Sequence, residues 1–116
     1  MDDDFQVEQQ VQGGTRHVLL SGELDGATAK LVERDLVGTA RDRSVRRLVL
    51  HLGGLSYIDS SGMALLLRLD RLARRDGFTF AVARPTGSVR ARLELTGLLT
   101  HLTVVEDDRP GVSPGR

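Results

Sequence analysis

The residues most able to do chemistry lie in one run, Leu55-Ser56-Tyr57-Ile58-Asp59-Ser60-Ser61-Gly62-Met63. An apolar stretch ends there, a short loop is expected, and a helical pattern begins at Asp59-Ser60-Ser61-Gly62. Two readings fit this spacing. In one, the run is simply a well-made helix start: Asp and Ser oxygens accept hydrogen bonds from the unpaired N–H groups of a first turn, and Gly62 lets the helix pack closely. In the other, Ser60 presents a hydroxyl at the surface, with Ser61 as the adjacent second choice. A phosphate on Ser60 would face the positive end of the helix dipole, which the domain could tolerate. It would also add about −1.5 to −2 charges at pH 7, which is disruptive in the middle of a binding surface.

Other chemistry finds little support. The chain has no cysteine, so disulfides, thiolate nucleophiles and Cys-based zinc sites are excluded. His17, His51 and His101 lack metal-ligand spacing, and His51 reads as a strand residue. Ser60 is not in a G-x-S-x-G context. Gly13-Gly14 and Gly53-Gly54 lack the Lys of a phosphate-binding loop and read as turns. No catalytic residue, metal or cofactor is expected, and the chain reads as a non-enzyme. Sixteen basic residues balance sixteen acidic ones, which argues against direct nucleic-acid binding. The acidic start, Met1-Asp2-Asp3-Asp4, is unlike a signal peptide. No apolar run approaches the roughly 20 residues that span a bilayer. A cytoplasmic protein without membrane insertion is expected.

The elements that position this run follow from periodicity. With 116 residues and 40% apolar content, the chain can build one core. Aromatics are only 3%, so Leu, Val, Ile and Ala must fill it. Strands are expected at 5–11 and 17–21, joined as a hairpin by Gly13-Gly14. Asp25 suits a helix N-cap, and Ala29, Val32, Leu36 and Ala40 recur at helical spacing beyond it. That helix ends in a charged loop at 41–44. Leu48-Val49-Leu50-His51-Leu52 fits a central strand covered on both faces. The second helix runs from Ser60 to Gly77, with Gly62, Leu65, Leu66, Leu69, Leu72 and Ala73 on its core face. Met63 and Leu67 fall on a flank shared with Asp70 and Arg74. They either widen the core stripe or form an apolar anchor beside the serine, rimmed by charge. Arg68, Arg71 and Arg75 read as a solvated face. A strand at 78–83, a short helix carrying Val89 and Leu93 and stopped at Gly97, and a strand at 102–105 complete the order ββαβαβαβ. The fold class is α/β, a mixed and mostly parallel sheet with an N-terminal hairpin and crossover helices. Residues 1–105 form the domain; 106–116, with Pro110 and Pro114, read as a polar, disordered tail.

Three segments resemble the anti-sigma factor antagonists of the STAS domain family (sulphate transporter and anti-sigma factor antagonist). They are Leu20-Ser21-Gly22-Glu23-Leu24-Asp25, the Leu55–Met63 run quoted above, and Arg84-Pro85 with Val89-Arg90, Leu93 and Thr96-Gly97-Leu98. The resemblance spans about Val7 to Val105. It implies a partner-switching cycle. The unphosphorylated antagonist binds an anti-sigma factor that is also a serine kinase of the histidine-kinase-like ATPase fold, and the sigma factor is released. The kinase phosphorylates the antagonist and lets go, and a PP2C-type phosphatase resets it. By the same resemblance the phosphorylated residue maps onto Ser60, with Ser61 as runner-up and Asp25 and Asp59 near it; taken with the helix-face reading, Asp25, Asp59, Ser61, Gly62, Met63 and Leu67 are expected at the partner surface. Met63 stands where the family usually has Leu, a volume-conserving change. His51 and Gly53 depart from the family's more polar choices, and a full helix after the last strand is not expected. The alternative is a STAS module that does not switch, serving a stress-signalling scaffold or a lipid-transport ABC system.

Overall fold

The computed structural model describes residues 5–36, 38 and 42–106. Gly13 and Gly14 sit at φ of 59° and 83° and turn the chain between β1 (Gln6–Gln12) and β2 (Thr15–Leu24), which pair antiparallel. From β2 onward strands and helices alternate: α1 (Gly26–Leu36), β3 (Arg47–Ile58), α2 (Ser60–Asp76), β4 (Thr79–Ala83), α3 (Gly87–Leu95), α4 (Leu98–His101) and β5 (Val104–Val105). The five strands lie in the order β1-β2-β3-β4-β5, with β2 to β5 mutually parallel. Each parallel pair needs a crossover, and the helices supply it.

The core follows the two periodicities of the sequence. Leu48, Leu50 and Leu52 of β3 and Val18 and Leu20 of β2 alternate onto one face of the sheet. The stripes of α1 (Ala29, Val32, Leu36) and α2 (Leu65, Leu66, Leu69, Ala73) close over them. On the opposite face Val49 and His51 are buried as well, so β3 is the two-sided central strand its composition implies. His51 is indeed a strand residue. Its ring nitrogen Nε2 lies 2.9 Å from Nδ1 of His17, a buried contact between β3 and β2.

Several boundaries differ from the sequence reading. Gly53-Gly54 is not a turn; both residues are inside β3, which runs twelve residues. The reason is a close backbone approach. A Cβ at Gly54 would lie 2.7 Å from the Leu20 carbonyl oxygen, where the β2–β3 register slips between Leu19 and Ser21. The strand therefore reaches Ile58, and the expected loop before α2 shrinks to one residue, Asp59. The second strand likewise extends to Leu24 rather than stopping at Ser21. Leu98–His101 forms an unanticipated single helical turn after Gly97, and Leu102 precedes β5 instead of opening it. Ala40, Arg41 and residues 107–116 lie outside the described residues, and so do the expectations that fall on them.

Candidate partner-docking site at the start of α2

The C-terminal ends of β2 and β3 finish together. Leu24 pairs with Ile58, and the Asp59 N–H donates to the Leu24 carbonyl at 3.2 Å. Both strands feed a helix directly, so the first turns of α1 and α2 are brought side by side. Aspartates cap both. Asp59 has extended backbone, φ −113° and ψ −171°, and its Oδ1 accepts from the N–H groups of Ser61 at 2.9 Å and Gly62 at 3.1 Å. Asp25 caps α1 reciprocally. Its Oδ1 accepts from the Thr28 N–H at 3.1 Å, while the Asp25 N–H donates to the Thr28 hydroxyl at 2.8 Å. The Thr28 N–H first, and its hydroxyl second, hold the Asp25 carboxyl below the usual carboxylate range. Asp25 is therefore ionised at neutral pH.

Ser60 is the first residue of α2 and is exposed. Ser61 is exposed too, but it is turned toward α1: a Cβ built on Gly26 would stand 3.6 Å from Ser61 Oγ. Ser60 is offset from Ser61 by about 100° around the helix. Gly62 is buried. A Cβ there would meet the Leu24 carbonyl oxygen and Ile58 Cγ1, each at 2.7 Å. Its part in the site is to seat α2 on the strand ends, as the packing reading of the sequence had it. Met63 is half-buried, packed on the core, with its Sδ 3.7 Å from Thr96 Oγ1 at the end of α3. Leu67 is half-buried one turn further along.

Of the two readings of Met63 and Leu67, the one with a charged rim is only partly met. Asp70 is buried, held by Arg74 at 3.1 Å, with His101 Nε2 3.9 Å away. It lies inward because its side chain meets α4, the turn that periodicity did not anticipate. Arg68, Arg71 and Arg75 are exposed as expected, and Arg68 reaches across to Glu33 of α1 at 2.8 Å. The sequence reading gave no part to Arg92 or Leu95, and none to Tyr57 beyond its place in the Leu55–Met63 run. The Arg92 guanidinium stacks 5.1 Å above the Tyr57 ring, and Leu95 is 86% exposed. A signal for Leu95 existed: it is about 200° around the helix from buried Leu93.

This arrangement has relatives. The family model for the STAS domain matches residues 6–108. The chain belongs to the STAS domain family. Within it, the chain is 29% identical over 104 residues to an anti-sigma F factor antagonist from Paenibacillus polymyxa, covering 90% of this chain and 89% of that one. A crystal structure of an anti-sigma factor antagonist from Mycobacterium paratuberculosis superposes with a TM-score of 0.72 at 26% identity, over 90% of this chain and 87% of that one. The Bacillus cell fate determinant SpoIIAA, in its phosphorylated form, shares the STAS fold with a TM-score of 0.70 at 23% identity, over 90% and 92% of the two chains. No helix among the described residues is long and apolar enough to cross a membrane.

Proposed function

We propose that this STAS protein is an anti-sigma factor antagonist that acts by partner switching, with Ser60 as the residue that carries the switch. In its unphosphorylated form it binds an anti-sigma factor serine kinase of the ATPase fold, releasing the sigma factor. Phosphate on Ser60 ends that binding, and a PP2C-type phosphatase restores it. The work is done at the cytoplasmic level by protein contacts, without catalysis by this chain. One observation carries the reading: Ser60 is exposed at the mouth of α2, beside two capped helix starts, while Ser61 faces α1. A kinase can reach the Ser60 hydroxyl without unfolding anything.

The cap geometry favours a switch over a mere helix start. Asp59 already satisfies the Ser61 and Gly62 N–H groups, so the Ser60 side chain has no capping duty. A phosphate there joins Asp59 and the ionised Asp25 on one acidic rim. A hundredfold loss of affinity corresponds to about 2.7 kcal/mol, and covering an uncompensated dianion can exceed that.

The test is incubation with ATPase-fold serine kinases and ATP, followed by mass mapping and binding titrations. Ser60 is expected to gain one phosphate. Ser60→Ala is expected to bind the kinase like the wild type and resist being turned off, and Ser60→Asp to bind at least tenfold more weakly. Phosphate found only on another residue, or equal affinity of all three proteins, overturns the assignment.

A further inference from the structure

The Ser60 surface does not end at α2. Leu95 is the most exposed large apolar side chain among the described residues, at 86%. One exposed leucine is ordinary; the residues around this one are not. Arg92 and Leu95 stand one turn apart on the same flank of α3. Arg92 lies over Tyr57, which is itself 36% exposed. Thr96, next to Leu95, touches Met63 at 3.7 Å, and Met63 is one turn along α2 from Ser60. A continuous strip thus leads from Ser60 through Met63 to Leu95, Arg92 and Tyr57. Its make-up of Tyr, Arg, Met and an exposed Leu departs from an ordinary solvated face, and Tyr, Arg and Met are enriched at protein interfaces.

Apart from the Arg92–Tyr57 stack, α3 is anchored among the described residues from its other sides. Helix α3 is anchored by buried Val89 and Leu93, by the Ser88 hydroxyl donating to the Ser56 carbonyl at 3.2 Å, and by the Thr96 hydroxyl donating to the Arg92 carbonyl at 2.8 Å. Arg90 pairs with Glu94 and Glu106, whereas Arg92 has no carboxylate partner among the described residues.

We propose that the α3 strip is the second half of the docking surface for the kinase, with Leu95 as apolar anchor and Arg92 as the cation that meets a carboxylate of the kinase. This rests on the partner-switching reading above. Two considerations select that occupant. A specific interface covers about 800 Å² on each partner, a disc of about 16 Å radius. One helical turn plus the Met63–Thr96 contact separates Ser60 from the α3 terminus, so an interface of that size centred on Ser60 reaches the end of α3. The strip is also polarised, with Asp25 and Asp59 at one end and, at the other, Arg92, which has no carboxylate partner among the described residues. It therefore fits a partner that offers a carboxylate at the α3 end, beside an apolar pocket.

The experiment is calorimetric titration of the kinase that phosphorylates Ser60 with wild type, Leu95→Ser, Arg92→Glu and Val11→Ser. Val11 is a control: it is exposed but pairs with Arg16 at the hairpin, the far end of the sheet from Ser60. Leu95→Ser and Arg92→Glu are each expected to weaken Kd by about 10- to 100-fold, and Val11→Ser by less than about twofold. All are changes at exposed residues, and Arg92→Glu also loses the stack on Tyr57, so melting temperatures are expected to stay within about 5 °C. If both α3 variants bind like wild type while Ser60→Asp does not bind, the strip is refuted and the switch at Ser60 stands. If no ATPase-fold serine kinase binds the wild type, both proposals fall.

Discussion

A methyl group at Gly62 has no space to occupy. Its Cβ would lie 2.7 Å from both the Leu24 carbonyl oxygen and Ile58 Cγ1, and 3.0 Å from Leu24 Cγ. None of these atoms moves freely. Leu24 and Ile58 are fully buried, and the Leu24 carbonyl accepts the Asp59 N–H that joins β2 to the start of α2. Overpacking of this kind costs about 1–3 kcal/mol. Pushing the Leu24 oxygen aside weakens the Asp59 bond, adding up to about 1 kcal/mol. Alanine returns at most about 1 kcal/mol through helix propensity. Gly62→Ala is therefore expected to destabilise by about 1–3 kcal/mol, lowering the melting temperature by about 5–12 °C for a chain of this size. Urea unfolding followed by circular dichroism checks it: the midpoint falls and the slope stays unchanged. A Gly62→Ala protein as stable as wild type would refute the tight seating of α2.

Two further outcomes test the frame around the site. Gly54→Ala is expected to destabilise by about 2 kcal/mol, because its Cβ would meet the Leu20 carbonyl oxygen at 2.7 Å, whereas Gly53→Ala, whose nearest neighbour is the Arg84 carbonyl oxygen at 3.4 Å, should cost less than about 1 kcal/mol; equal effects in denaturant titrations would remove the close approach as the reason for the glycine pair. Asp25→Ala is expected to cost about 1 kcal/mol at pH 7 as a lost N-cap. The Asp25 carboxyl titrates lower in the folded than in the unfolded chain, so its contribution is complete above about pH 4 and disappears as pH falls through the folded value. Wild type and variant should converge in stability below about pH 4, and a constant gap across an acid titration would contradict the ionised cap.

The sequence was most legible where one physical rule governed alone. The α2 stripe and the Gly77 stop followed from helical spacing and a φ of 83° that glycine adopts without strain. Asp25 and Asp59 were readable as caps because short carboxylates do that work at helix starts. Legibility failed where two rules competed. Gly53-Gly54 looks like a turn by composition, yet the pair serves a tight contact between β2 and β3 that no local pattern reports. Asp70 looks exposed beside Met63 and Leu67, and it is buried because α4 brings His101 to it. The Tyr57–Arg92 stack joins residues from β3 and α3 that only tertiary packing brings together.

The proposed switch requires the helix start to accept phosphate without absorbing it. A helix N-terminus commonly binds an anion by offering free N–H groups. Here the Ser61 and Gly62 N–H groups are already given to Asp59 Oδ1. A phosphate on Ser60 would feel the favourable dipole, which protects the fold, but it would not find those two donors. Its charge would stay largely uncompensated at the surface, added to the charges of Asp59 and Asp25. The penalty would thus fall on whatever protein must cover the rim, and very little of it on the domain. In the proposed switch, this division would make the cap aspartate part of the device. Replacing Asp59 with alanine would free the two N–H groups to hold the phosphate, so phosphorylated Asp59→Ala should keep more kinase affinity, relative to its unphosphorylated form, than phosphorylated wild type keeps. An equal or greater loss on phosphorylation in that variant would mean that the cap plays no part in exposing the charge.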